Sequence, residues 1–220
     1  MDERAAGLGH TRPDLDRPRR TGLPEAVYAA GKSPEQCAEI VAHHLASADG
    51  PVIVTRADEP HRVALRPLGP QAERGTTLTW RHDPELPRRE VAVVCGGTSD
   101  LPVVEECRAT LAAHGVRTRA VTDVGVAGLH RLLGEVDGLA GAGVIVAVAG
   151  MEASLPTVLA GLVHQPVIAV PTSTGYGTSF EGITALLSVL ASCAPGVTAV
   201  GIDNGYGAAC AALRILGGRP

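Results

Sequence analysis

"EVAVVCGGTSDLPVVEE", residues 90–106, decides the fold of this chain. Its apolar run is unbroken, which marks a strand buried on both faces, since a half-exposed strand would alternate polar and apolar residues. Two glycines end the run, "TSD" offers polar capping groups, and an apolar-periodic segment begins with a proline in its first turn. Strand, glycine turn and helix follow one another within seventeen residues. The same unit recurs downstream. Strands "VRTRAVTD" (116–123), "GVIVAVAG" (143–150), "PVIAVPT" (166–172) and "VTAVGID" (197–203) alternate with helices expected at 101–114, 126–140, 153–163, near 180–192 and at 206–216. Five strand–helix units predict an α/β fold: a doubly wound parallel sheet with right-handed crossovers.

Upstream the texture changes. Residues 1–88 are charged and proline-rich, and they read as a small N-terminal α+β lobe ahead of a main domain at 89–220. Within the lobe, "SPEQCAEIVAHHLAS" (33–47) opens as a helix should, with Ser33 as N-cap, Pro34 at the first position and Gln36 closing a capping box. "PVIVT" (51–55) and "TTLTW" (76–80) read as strands.

Composition narrows the class. The 220 residues are 45% hydrophobic but only 2% aromatic, so Ala, Val, Leu and Ile build the core. A net charge of −4 argues against general nucleic-acid or membrane-surface binding. No apolar run reaches the ~18 residues of a spanning helix, and "MDERAAGLGHTRPDLDR" is not a signal peptide, which predicts a soluble cytoplasmic protein. The five cysteines, Cys37, Cys95, Cys107, Cys193 and Cys210, show no zinc spacing, so no metal site is expected. Four of them lie in strand or helix patterns and read as small core hydrophobes. Cys193 follows a glycine-rich loop and an apolar helix.

In doubly wound sheets ligands bind outside the carboxyl ends of the strands. That rule gathers "CGGTSD", "AVAGMEASLP", "VPTSTGYGTSF" and "GIDNGYG" on one rim. Gly96 and Gly97 let a ligand approach the backbone, while Thr98, Ser99 and Asp100 either meet an anion or cap the helix. Glu152, beside Ser154, is either a carboxylate aimed into the cleft, partly desolvated with a raised pKa, or a first-turn complement to the helix dipole. Thr172, Ser173, Gly175, Tyr176, Gly177 and Ser179 form a loop expected to wrap a ligand. Asp203 and Asn204 either join the site or form a turn.

These segments carry a resemblance. "VAVVCGGTSDLPVVEE", "DVGVAGLHRLL", "AVAGMEASLPTVLAGL", "VPTSTGYGTSFEGITALLSVLASCAPG" and "IDNGYGAACAA" resemble the LarB family, carboxylase/hydrolases of nickel-pincer cofactor biosynthesis, and more broadly the PurE class of aminoimidazole ribonucleotide carboxylases and mutases. "LDRPRRTGLPEAVYAAGKSPEQ" extends the likeness into the lobe, so that it spans roughly residues 14–216. A PurE mutase is expected to carry a Ser-Ala-His-Arg type motif after its second strand. Here that place holds "TDVGVAGLHR", which keeps only His130 and Arg131.

The resemblance implies a PurE/flavodoxin-like fold, commonly assembled as a homo-octamer. It also implies a substrate, nicotinic acid adenine dinucleotide, whose pyridinium ring is carboxylated at C5 with CO2 and whose phosphoanhydride is hydrolysed. The products are pyridinium-3,5-biscarboxylic acid mononucleotide and AMP. Mg2+ would ride on the substrate phosphates. Cys193 matches the family's reactive cysteine and would add to the ring, with Glu152 as the base that removes the C5 proton and Asp203 as the second choice. Two other readings stay open: a PurE-type mutase of a carboxyaminoimidazole ribonucleotide, which has no need of Cys193, and a nucleotide-binding module without chemistry.

Overall fold

The computed structural model describes residues 8–85 and 89–217. The lobe boundary expected at residue 88 therefore lies outside the described residues. The chain runs α1 (Arg17–Thr21), β1 (Val27–Tyr28), α2 (Pro34–Ser47), β2 (Val52–Thr55), α3 (Glu59–Leu65), β3 (Ala72–Arg74) and β4 (Thr77–Trp80). It continues through β5 (Val91–Cys95), α4 (Leu101–Ala113), β6 (Thr118–Val121), α5 (Leu129–Leu133), α6 (Val136–Leu139), β7 (Val144–Ala149), α7 (Ser154–Leu162), β8 (Val167–Pro171), α8 (Ile183–Leu190), β9 (Thr198–Ala199) and α9 (Gly205–Ile215).

The second sheet has the order β6-β5-β7-β8-β9, and every pairing in it is parallel. β5, β7 and β8 are buried along their whole length, as their unbroken apolar runs require. One face packs Val91, Val93, Val146 and Val170 against Val104, Leu111, Ala208 and Leu213 of α4 and α9. The other packs Ala92, Val94, Ile145 and Ala147 against Leu132, Leu139, Leu155, Leu159 and Val189. The sheet is thus wound on both faces, and its order reverses between β5 and β7. This is the flavodoxin-like topology, in which the crevice for ligands opens at that reversal.

The N-terminal sheet has the order β1-β2-β4-β3, with its own apolar cluster around Val41, Val54, Leu65 and Leu78. The α2 capping box forms: Ser33 Oγ accepts from the Gln36 N–H at 3.2 Å, and Gln36 Oε1 accepts from the Ser33 N–H at 2.9 Å. α4 touches elements of both sheets, and Arg74 meets Glu105 of α4 at 3.3 Å.

Three expected elements differ. The helix read over 126–140 is a 3-10 turn, Val126–Gly128, followed by two short helices. At Gly138 the space a side chain would need is filled by the Arg119 guanidinium, which donates to Gly138 O at 2.7 Å. The helix read from 180 begins at Ile183, because Phe180 and Glu181 are left-handed. The last strand is only Thr198–Ala199, since the chain turns at a left-handed Asp203.

Gly150, at the end of β7, has no room for a side chain: a Cβ there would lie 2.2 Å from Thr174 O and 2.7 Å from Thr172 Oγ1. Gly150→Ala is therefore expected to destabilise the protein by about 1–3 kcal/mol, the range for overpacking. Urea denaturation followed by circular dichroism will measure it.

Candidate active site

A cavity of about 270 Å3 opens at the β5/β7 reversal. Gly96, Gly97, Ser99 and Asp100 form its β5 side, Gly125, Val126 and Ala127 its β6 side, and Gly150, Met151, Glu152, Ala153 and Ser154 its β7 side. Thr174 reaches in from the loop after β8. The polar framework is explicit. Asp100, buried, accepts from Thr172 Oγ1 at 2.7 Å and from the Gly97 N–H at 3.1 Å. Thr174 O accepts from the Met151 N–H at 2.8 Å. Ser154 Oγ donates to Glu152 Oε1 at 2.9 Å.

The expected site residues divide. Gly96, Gly97, Ser99, Asp100, Glu152 and Ser154 share this cavity, and Thr172 lies buried behind it. Thr98 is exposed beside the cavity without lining it. Glu152 is itself exposed and stands ahead of α7, so neither the desolvated carboxylate nor the first-turn helix residue of the sequence reading is what forms. His130 is exposed on α5 and leaves the β6 wall to Gly125, Val126 and Ala127. Its neighbour Arg131 is held by Asp123 at 2.6 Å.

The glycine-rich loop does not wrap the cavity. Gly175, Tyr176, Gly177 and Ser179 line a separate open depression with Phe180 and Glu181. Only Thr174 turns inward, and Gly150 makes room for its backbone.

Cys193 is exposed, while Cys37, Cys95 and Cys107 are buried and Cys210 is half-buried. Burial raises the thiol pKa of those four. Cys193 lines neither the cavity nor the depression. α8 carries the chain away from Gly182, and the neighbouring Ser192 Oγ sits 2.8 Å from Thr157 Oγ1 of α7. The thiol is near the glycines in sequence, and the whole of α8 lies between them in the fold.

A second groove, of about 360 Å3, lies between the lobe and the rim. Sequence reasoning missed its central residue, Arg56, which the end of β2 delivers in a left-handed conformation. Arg56 Nη2 donates to Asp203 O at 2.6 Å, and Nε lies 3.6 Å from Glu106 Oε1. The guanidinium stands 5.5 Å from the centre of the Tyr28 ring. Asp203 Oδ1 in turn accepts from the Ser173 N–H at 2.8 Å, and Asn204 caps α9 by accepting from the Gly207 N–H at 2.7 Å. Glu106 is buried and accepts from the Tyr206 N–H at 3.0 Å. Burial raises its pKa, against the opposing pull of that N–H and of Arg56.

Residues 90–219 match the AIR carboxylase family, and residues 5–77 match the LarB/PurE-like N-terminal domain. The chain belongs to the AIR carboxylase family. It is 38% identical over 207 residues to an uncharacterised protein of Methanocaldococcus jannaschii, covering 89% of this chain and 79% of that one. It is 39% identical over 131 residues to the N5-carboxyaminoimidazole ribonucleotide mutase of the same organism, covering 57% of this chain and 78% of the mutase. The mutase of Pyrococcus horikoshii is 36% identical over 135 residues, covering 58% and 72%. This is an enzyme family of carboxylases and mutases. No helix among the described residues is long and apolar enough to cross a membrane.

Two outcomes follow from this geometry. Gly97 has extended backbone, φ −146°, and a Cβ there would meet nothing within 4 Å. Gly97→Val should therefore fold with parental stability and, where the cavity holds the dinucleotide that the resemblance implies, weaken its binding by about tenfold or more, because Gly97 lines the cavity. Equilibrium dialysis against that dinucleotide, beside a thermal melt, reads both. For Glu106 the folded pKa lies above the unfolded one, so the folded state holds the proton more tightly. Stability then falls as pH rises from the ordinary carboxylate value through the raised one. The stability of the parent minus that of Glu106→Gln should decline across that window and be flat outside it, as measured by urea melts over a pH series.

Proposed function

We propose that this protein carboxylates the pyridinium ring of nicotinic acid adenine dinucleotide at C5 with CO2 and hydrolyses its phosphoanhydride. The products are pyridinium-3,5-biscarboxylic acid mononucleotide and AMP. One observation carries the reading: Cys193 is the exposed thiol among five, on a chain whose N-terminal region matches the LarB/PurE-like domain. The β6 side of the cavity supports it. Where a mutase-type motif is expected, Gly125, Val126 and Ala127 offer a wall of small, uncharged residues that leaves room for a ring.

The chemistry needs a nucleophile that can also leave. A pyridinium ring is electron-poor and does not attack CO2. Addition of the Cys193 thiolate at C4 forms a C–S bond and gives a dihydropyridine whose C5 is an enamine carbon. That carbon bonds CO2, and the ring nitrogen becomes an iminium. Loss of the C5 proton to a base restores the enamine, and expulsion of the thiolate restores the aromatic cation. The sum is replacement of the C5 proton by a carboxylate, with no change of oxidation state in the protein. Sulfur suits both roles. Glu152, at the cavity mouth, is the base in this reading and also favours the cationic ring; Asp203, which lies in the neighbouring groove, is the second choice. In this reading Mg2+ enters with the substrate phosphates.

Cys193 is not among the residues that line the cavity of Glu152. In this reading a second copy of the chain supplies the thiol. The supporting feature is an exposed apolar stripe on α8, Ile183, Leu187 and Leu190, with Phe180 beside it at 65% exposure. Residues spaced this way share one helix face, and a homo-oligomer, an octamer by resemblance, would bury it.

The second reading is the mutase activity named for the relatives, favoured by their 36–39% identity over the main domain. Incubation with nicotinic acid adenine dinucleotide, bicarbonate and magnesium, followed by mass spectrometry, separates the two. Cys193→Ala should lose carboxylation by about a thousandfold or more while Cys210→Ala costs little. Glu152→Gln should still trap the cysteine–ring adduct and form little dicarboxylated product. Mixing the two inactive variants should restore part of the activity, because some sites then draw a thiol and a carboxylate from different copies. A fully active Cys193→Ala would overturn the covalent route, and mixing without recovery would overturn the shared site.

A further inference from the structure

The N-terminal domain sets this chain apart from the mutases it resembles. Their matches extend over only 131 and 135 residues, whereas the domain at 5–77 matches separately. What the domain adds to the rim is one wall of the groove of about 360 Å3. Arg56, Asp58 and Thr76 form that wall, and Ser173, Thr174 and Asp203 face them. The groove and the rim cavity meet at Ser99 and Thr174, which line both.

Size favours more than the rim. Small-molecule ligands occupy pockets of about 300–1,000 Å3. The cavity of about 270 Å3 sits at the lower edge of that range, and joined with the groove it falls well within it.

We propose that the groove between the two domains is the half-site for the adenylate part of a dinucleotide, with the phosphoanhydride crossing the Ser99–Thr174 threshold. This rests on the dinucleotide reading above. Adenosine presents hydrogen-bond donors, two ribose hydroxyls and an exocyclic amine, and the groove answers with the second carboxylate oxygens of Asp58 and Asp203, whose Oδ1 atoms are engaged by His61 and by the Ser173 N–H. The threshold presents hydroxyl donors to the anhydride oxygens. Arg56 has Nη2 on Asp203 O and Nε toward Glu106, and its side chain is still 38% exposed, which leaves a guanidinium edge for the adenylate phosphate. Arg56 and Asp203 are both left-handed, at φ 56°, and such backbone conformations concentrate at ligand clamps.

The test uses the full chain and three probes: AMP, nicotinic acid mononucleotide, and the dinucleotide. Thr76 is exposed, and its side chain can be enlarged without entering a core. The parent should bind AMP and nicotinic acid mononucleotide together, each leaving the calorimetric affinity of the other within about twofold. Thr76→Trp should weaken AMP by about tenfold or more, leave the mononucleotide unchanged, and raise KM for the dinucleotide with kcat little altered, while Thr76→Ala stays near the parent. Failure of the parent to bind AMP, displacement of AMP by the mononucleotide, or parental AMP affinity in Thr76→Trp would each overturn the half-site. The two readings fail separately. Tryptophan-sensitive AMP binding without carboxylation of the dinucleotide would keep the half-site and overturn the carboxylase. Carboxylation with an unchanged KM in Thr76→Trp would do the reverse.

Discussion

A buried carboxylate holds the rim together. Asp100 takes the Gly97 N–H on one oxygen and the Thr172 hydroxyl on the other, which ties the loop after β5 to the loop after β8. Those strands are not neighbours, since β7 runs between them. The bridge therefore crosses the end of β7, and the residue at that crossing must be small. Gly150 is that residue, and the nearest atoms a Cβ would meet there include Thr172 Oγ1. Thr174 O lies closer still, at 2.2 Å, so the Asp100 bridge and the Thr174 backbone together exclude a side chain there. The turn that follows runs through left-handed Met151 and Ala153 and leaves Glu152 exposed between them.

Most of the left-handed non-glycine residues, Arg81 aside, mark the same region. Asp123, Met151, Ala153, Phe180, Glu181 and Asp203 all follow strands of the parallel sheet, and Arg56 faces them from the lobe. Each such conformation costs of order 1–3 kcal/mol and persists only where surrounding contacts over-determine it. Here the contacts are the backbone hydrogen bonds Met151 N–H to Thr174 O and Asp203 N–H to Pro171 O, and the Arg56 hydrogen bond to Asp203 O. Folding stability from the central strands is spent on the shape of the rim.

The parts legible in the sequence were those governed by local pattern. β5, β7 and β8 announce themselves because burial on both faces forces unbroken apolar runs, and the α2 capping box because Ser33, Pro34 and Gln36 act within one turn. The broken helix after β6 was not legible: α5 ends at Leu133 and α6 begins only at Val136, and the role of Gly138 within α6 rests on Arg119, a residue from the preceding strand. Half the rim was legible as glycine–hydroxyl turns at strand ends. Arg56 was not, since its partner Asp203 lies 147 residues away and nothing near Arg56 distinguishes it from other surface arginines. Cys193 was the opposite case: closeness in sequence to Gly175 and Gly177 suggested a shared site, and the crossover helix separates them.

That separation has a consequence for how such a site can close. In a parallel sheet every strand delivers its loop to the rim and every following helix carries the chain off it again. A residue just after a crossover helix therefore stands away from the rim of its own copy. Cys193 stands in that position at the end of α8, and the same helix exposes Ile183, Leu187 and Leu190 along one face. A copy that covers the apolar stripe necessarily approaches the segment carrying the thiol. Assembly and covalent chemistry would then depend on one contact, so that a monomer could fold and bind nucleotide without being able to carboxylate it.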